Sequence, residues 1–393
     1  MSCGCEAVMA IARVRVDAGA HMRHIHIIFL GFMAGSLVSC IQQMDISKVS
    51  SIIPTHSFEK ETAVSSPAMD HTILRFDYAS DFSEGLAVVR RHDSADASSI
   101  PSDQFTYIDQ AGNTVLTIDP GWDGASPFSD QRALVKVRDF YGYINRDGDI
   151  VVAPQYPSAL PFSDGLAAVR TGTKYGYIDQ TGALSIEPQF DLATEFAEGL
   201  AAVRVENRYG YIDVTGQWII QPQYEDSWEF SESLAGVRLN RRWGYINPAG
   251  EEIIEPTWDG AFAFSESRAR VRRGGEWGYI DPSGVPIIEP QYAFASDFSE
   301  GLAAVLIDGK WGYIDATGTL IIPPRFSYAS PFSDGLATVQ VDGQFGYINR
   351  SGEVAIQPQF TNAGSFSEGW AWVEIDGQRS YINPRGEFLK HTE

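Results

Sequence analysis

The phrase FSEGLAAV and its variants start at Phe82, Phe128, Phe162, Phe196, Phe230, Phe264, Phe298, Phe332 and Phe366; after a first interval of 46 residues, every interval is 34. A fixed period of this size dictates a repeat architecture, in which each unit buries its apolar faces only against its neighbours. A period of about 34 also suits a helix-turn-helix repeat. Composition rules that out, because every unit carries several glycines and a proline, the prolines standing at Pro120, Pro154, Pro188, Pro222, Pro256, Pro290, Pro324 and Pro358.

Within a unit the pattern is that of short strands, as in Gly199 to Arg204 (GLAAVR), Tyr209 to Asp213 (YGYID) and Gln217 to Ile220 (QWII), dominated by branched and aromatic residues. Between the second and third runs an Asp or Asn is followed three residues later by Gly in all nine units, from Asp109 and Gly112 to Asn383 and Gly386. This is type I turn chemistry, with the carboxylate or amide bonding the turn backbone. Each unit therefore reads as a three-stranded antiparallel meander, its proline ending the third strand at an edge.

Of the 37 glycines, 22 fall in three columns: the type I turn, the position beside the second-strand aromatic, and the FSEG turn. The second strand reads Trp-Gly-Tyr-Ile at Trp243, Trp277 and Trp311; Tyr141, Tyr175, Tyr209 and Phe345 replace the tryptophan, and the last unit has Arg379 and Ser380 in place of Trp-Gly. These strands, with their FSEG and IIxPQ[FY] companions, resemble the bacterial WG (KWG) repeat family from about Ile73 to Phe388. The resemblance implies an all-β repeat protein, often surface-associated, without an established catalytic role. The departures at Arg379 and Ser380 suggest a degenerate terminal cap. Because 34 residues are few for a four-stranded blade of about 40 or more, the expected architecture is an open superhelical β-solenoid of nine meanders, with a propeller-like closed ring as the alternative.

Ahead of the repeats, Met22 to Cys40 combines Arg23, an apolar stretch from Ile25 to Val38, and Leu37-Val38-Ser39 before Cys40. The stretch is short for a membrane span and resembles a lipoprotein signal whose cysteine is lipidated. Residues 1–39 are therefore expected to be an over-extended start plus signal peptide, 40–70 a lipid-anchored flexible tether, and 71–393 the array. The expected location is the bacterial envelope, at the outer membrane if the organism is Gram-negative because Ile41 follows Cys40, with the lipid as the only membrane contact.

The remaining expectations are largely exclusions. No cysteine follows Cys40 and no histidine lies between His92 and His391, so Cys-His or Ser-His-Asp catalysis and histidine or cysteine metal sites have no residues to be built from within the array. A formal net charge of −22 argues against nucleic acid. Carboxylates such as Asp179, Asp213, Asp281 and Asp315 recur at a turn position, and turn stabilisation accounts for them. No catalytic residue, metal or cofactor is expected, and a monomer is. The expected function is non-enzymatic presentation of a repeat surface to another envelope protein; alternatives are binding of peptidoglycan or surface polysaccharide, and glycan hydrolysis by carboxylates.

Candidate binding residues are those that break the repeat. Trp218, Trp228, Trp258, Trp370 and Trp372 stand where other units carry ordinary residues. Eight positions after each phenylalanine lies a basic column, Arg90, Lys136, Arg170, Arg204, Arg238 and Arg272, which gives way to Leu306, Gln340 and Glu374; Arg241, Arg242, Arg268, Arg270 and Arg273 add to it. The column is read either as an anion-binding strip for a wall polymer or acidic partner, or as a ladder of salt bridges to the acid two residues after each phenylalanine. A polar insertion from Arg91 to Gln104 lengthens the first unit as a surface loop.

Overall fold

The computed structural model describes residues 73–91 and 104–390. The expected signal, tether and Cys40, and most of the first-unit insertion, lie outside the described residues. The array is all-β, with nine small antiparallel sheets following one another along the chain.

In the fourth unit the strands are Leu192–Ala193, Leu200–Val205, Arg208–Asp213 and Trp218–Tyr224, paired in that order. The three-stranded meander is thus a four-stranded blade. It fits into 34 residues because its first strand has two residues and a single residue joins Tyr224 to the next blade's first strand, Asp226–Ser227. The FSEG phrase is the hairpin between first and second strands: Ser83 and Leu86 exchange backbone hydrogen bonds of 2.9 and 3.1 Å, with positive φ at Glu84 and Gly85. The Asp-x-x-Gly turns form as expected, Asp179 accepting from the Thr181 and Ala183 N–H groups while Gly182 takes a φ of 85°.

Only in the first blade does the proline, Pro120, lie beyond the outer strand, Thr114–Thr117; from the second blade to the eighth it lies within, as Pro222 does in Trp218–Tyr224. Opposite it the ladder slips, with Tyr209 facing Tyr224 but Tyr211 facing Ile220. The extra residues press the outer backbone onto Gly210, where a Cβ would lie 2.4 Å from the Ile220 carbonyl oxygen. This close approach is what the glycine of the Trp-Gly pair permits, and it recurs from Gly142 to Gly346.

Three sets of hydrogen bonds tie each blade to the next. The last tyrosine of each third strand, Tyr211 in the fourth blade, is fully buried in every unit and donates to a backbone carbonyl of the following blade at 2.6–2.9 Å. Its ring meets that blade's FSEG phenylalanine at 4.8–5.0 Å between centroids. Burial pushes these phenols well above the ordinary tyrosine range. The FSEG serines donate to the next phenylalanine's carbonyl at 2.6–2.9 Å, except in the fourth unit, where Ala197 replaces the serine. The FSEG acids accept an N–H of the next FSEG turn at 2.8–3.2 Å in all nine units.

The ninth unit's member of each set reaches the first blade: Tyr381 bonds Ser80, Ser367 bonds Phe82 and Glu368 bonds Gly85. The array is therefore a closed ring, as the propeller alternative held, and not an open superhelix. Closure is sealed by a composite outer strand in the last blade, where Ile382 pairs with Phe388 and Arg379 pairs with Phe76 from the opposite end of the chain. Phe76 takes the place that Tyr224 holds in the fourth blade. Arg379 and Ser380 are accordingly no degenerate cap: Arg379 donates to the Ala79 carbonyl at 2.9 Å and Ser380 to that of Leu74 at 2.7 Å.

Candidate functional site

Because strands alternate in direction, FSEG and Asp-x-x-Gly turns share one face of the ring, while the hairpins between second and third strands share the other. On the turn face the carboxylates are engaged. Backbone and side-chain donors hold Asp179, Asp213, Asp281 and Asp315 below the ordinary carboxylate range, the hydroxyl of Thr181, Thr215, Ser283 or Thr317 being the largest cause in each. Among the described residues no group of three or more His, Cys, Asp or Glu is placed to hold a metal ion.

The basic column lies on the hairpin face, at the ends of the second strands. Its partners differ from those expected. The FSEG acids are on the opposite face, bonded to backbone, and the acids near the column are those of the linkers between blades. Arg238 lies 3.5 Å from Glu225 and 3.8 Å from Asp226, Lys174 is 2.6 Å from Asp191, and Arg242 pairs with Asp259. The same linker carboxylates accept hairpin N–H groups, Asp191 from Glu206, Glu225 from Arg241 and Asp259 from Gly274. Lys174 is the main cause of the lowered Asp191 pKa, with Arg204 adding to it.

Column cations also lie over the third-strand aromatics: Arg204 over Tyr209 at 5.8 Å, Arg238 over Trp243 at 5.9 Å and Arg272 over Trp277 at 5.6 Å. The linker acid and the column cation vanish together, since Ala293, Ser327 and Thr361 accompany Leu306, Gln340 and Glu374. The third blade is the exception. There Pro157 occupies the linker while the column keeps its cation, Arg170.

The tryptophans are mostly packed. Trp258 is 2% exposed. Trp228 stacks between Trp243 and Phe262 and donates its indole N–H to Ala261 at 2.8 Å, while Trp218 meets Phe190 edge-on and Trp370 meets Phe82. Trp372 lies under Arg379, 4.3 Å from its guanidinium. Room for the two large intruders comes from glycines on the paired strand: a Cβ at Gly236 would approach Trp228 to 2.8 Å, and one at Gly364 would approach Trp372 to 2.4 Å. Arg270, over Phe262 at 3.6 Å, bonds Asp297 at 2.7 Å and is likewise spent on packing.

Sequence reasoning passed over Phe140. It opens the third strand of the second blade and is 46% exposed on the hairpin face. The other units carry Gln104, Lys174, Arg208, Arg242, Glu276, Lys310, Gln344 and Gln378 there, so the signal was one apolar residue in a polar column.

Ring closure, nine successive antiparallel sheets and blade-to-blade bonds from the tyrosine hydroxyls and FSEG turns define a nine-bladed β-propeller. The sequence units that build it match the WG containing repeat at residues 74–93, 105–139, 141–175, 175–209, 209–242, 243–277, 277–311, 311–344 and 345–378, and the chain belongs to that family. No curated protein matches. Among solved structures, that of a eukaryotic initiation factor shares the fold at a TM-score of 0.55 and 10% identity, over 78% of this chain and 95% of that one. BamB from Moraxella catarrhalis aligns at a TM-score of 0.41 and 12% identity, over 81% and 96%. The C-terminal WD40 domain of Sif2 gives 0.40 and 10%, over 79% and 97%.

Proposed function

We propose that this chain is a non-enzymatic, lipid-anchored protein of the bacterial envelope whose propeller presents a surface for protein–protein interaction. One observation carries the reading: the repeated polar groups are consumed in holding the ring together. Tyrosine hydroxyls, FSEG serines and FSEG carboxylates bond the next blade, and the turn aspartates bond their own backbone. What is left to vary from blade to blade is the exposed chemistry of the hairpin face. The envelope location and the anchor rest on the Leu37-Val38-Ser39-Cys40 segment.

Cross-linking in intact cells, followed by identification of the captured molecule, tests the interaction. Capture of a defined envelope protein supports the reading. Sedimentation with purified sacculi and no protein capture would replace it with wall-polymer binding, and hydrolysis of a labelled glycan panel, abolished by one carboxylate-to-amide change, would replace it with an enzyme. Cys40→Ala should move the protein from the membrane to the soluble fraction; unchanged membrane retention would remove the anchor from the proposal.

A further inference from the structure

On a chain of net charge −22, one region collects cations: the hairpin face of the first six blades, which follow one another along the ring. From the geometry we infer that the second and third blades of this arc, centred on Phe140, Arg138 and Arg170, are the docking site for a protein segment that carries carboxylates on either side of an apolar residue. The inference rests on the interaction reading above and names its surface and its partner chemistry.

Three observations converge. Arg138 is exposed and its side chain has no ion pair among the described residues. Arg170 is the column cation whose linker acid is replaced, by Pro157, which removes the carboxylate neighbour that Asp191 provides for Arg204. Phe140, separated from Arg138 by Asp139, places an exposed ring on this hairpin at a position where its counterparts are polar. Exposed aromatics beside arginines are the composition of interaction hot spots.

A polyanion fits less well. Asp123, Asp191, Glu225 and Asp259 are interleaved along the same arc, where a continuous run of phosphates would meet them. A protein segment can space its carboxylates to avoid them, and only an apolar side chain gains from covering Phe140. Arginine also pairs carboxylates through two parallel hydrogen bonds, which favours a defined register over a diffuse atmosphere.

The test uses the full-length protein, a twelve-residue glutamate-rich peptide with one central leucine, the same peptide with glutamine at the centre, and polyphosphate. The leucine peptide should bind, about tenfold tighter than its glutamine analogue, and affinity should fall with salt. Phe140→Lys, which installs a residue its own column uses, should erase the leucine preference while leaving the melting temperature unchanged. Arg138→Glu combined with Arg170→Glu, the latter being the residue the ninth blade carries at Glu374, should lower binding by about tenfold or more. Failure of the leucine peptide to bind, indifference to these variants, or tighter binding of polyphosphate would overturn the inference. In the cellular cross-linking, an unchanged partner set in both variants would sink the site while leaving the interaction reading standing; an empty wild-type capture would sink that reading itself.

Discussion

Tyr381 donates its hydroxyl proton to the Ser80 carbonyl at 2.6 Å and packs its ring on Phe82, the relation Tyr211 has to Trp228 and Phe230 one blade apart. Equivalence of these contacts makes the last-to-first junction an ordinary blade interface. Tyr381→Phe and Tyr211→Phe should therefore cost similar amounts, about 1–2 kcal/mol each, because each leaves a buried carbonyl without its donor. Urea unfolding of the two variants checks this. In an open array the terminal change would be nearly silent.

Closure also depends on the chain's two ends sharing a strand. Deleting the residues through Phe76 removes the lower half of the last blade's outer strand and the partner of Arg379. The expected outcome is a lower melting temperature with a larger maximum dimension in solution scattering, as the first and ninth blades part. An unchanged scattering curve would show that side-chain contacts such as Tyr381 to Phe82 suffice for closure.

The glycine of the Trp-Gly pair was visible in the sequence as a column, but its reason lies across the sheet, in the bulge at Pro222. Gly210→Ala puts a methyl group 2.4 Å from the Ile220 oxygen, with backbone on both sides and no side chain to yield. A loss of more than about 2 kcal/mol is expected, from overpacking and a broken ladder. Ser380→Gly in the ninth blade should cost about 1 kcal/mol, the value of its hydrogen bond to Leu74. Denaturant midpoints of both variants read the contrast.

Trp228 and Gly236 show a size exchange that no single column announces. They are partners across the first and second strands, the Trp228 N–H bonding the Gly236 carbonyl at 2.8 Å, and the seventh blade fills the same pair with Ser296 and Ala304. Gly236→Ala alone forces a methyl group against the indole at 2.8 Å. Combined with Trp228→Ser it restores a pair the protein already uses. A double-mutant cycle should return a coupling of about 1 kcal/mol or more, and additivity would show that the indole moves aside freely.

Much of this molecule was legible from its period: nine units and their Asp-x-x-Gly turns follow from residues in register. What escaped were relations between registers. A two-residue first strand such as Asp226–Ser227 has no hydrophobic alternation to reveal it, and without it the unit looked too small for a blade. Phe76 gave no sign of completing a strand begun at Phe388, because its partner lies at the far end of the sequence. The column cations were assigned to the nearest repeated acid along the chain, whereas strand direction carries Glu198 to one face and Arg204 to the other, leaving Asp191 as the neighbour. Phe140 was passed over because it breaks a polar column rather than an aromatic one.

Two kinds of carboxylate make acid stability separable. Asp179, Asp213, Asp281 and Asp315 have folded pKa values below the ordinary aspartate value, so the stability they contribute is present above that value and is lost as pH falls through the folded one. Asn145, Asn247, Asn349 and Asn383 make the same turn bonds without titrating, Asn145 accepting from the Asp147 and Asp149 N–H groups at 3.0 and 2.8 Å. Changing the four aspartates to asparagine should leave the melting temperature at pH 7 nearly unaltered and raise it relative to wild type near pH 3. Glu195 runs the other way: loss of hydration, with the Glu229 charge beside it, lifts its pKa. Its contribution is therefore full below the unfolded value and disappears as pH rises through the folded one, so Glu195→Gln should raise the melting temperature at pH 7 and have little effect near pH 4. Melting curves across this range for the two sets of variants decide the matter, and a gain from Glu195→Gln that persisted unchanged at pH 4 would remove hydration of the charge as its cause.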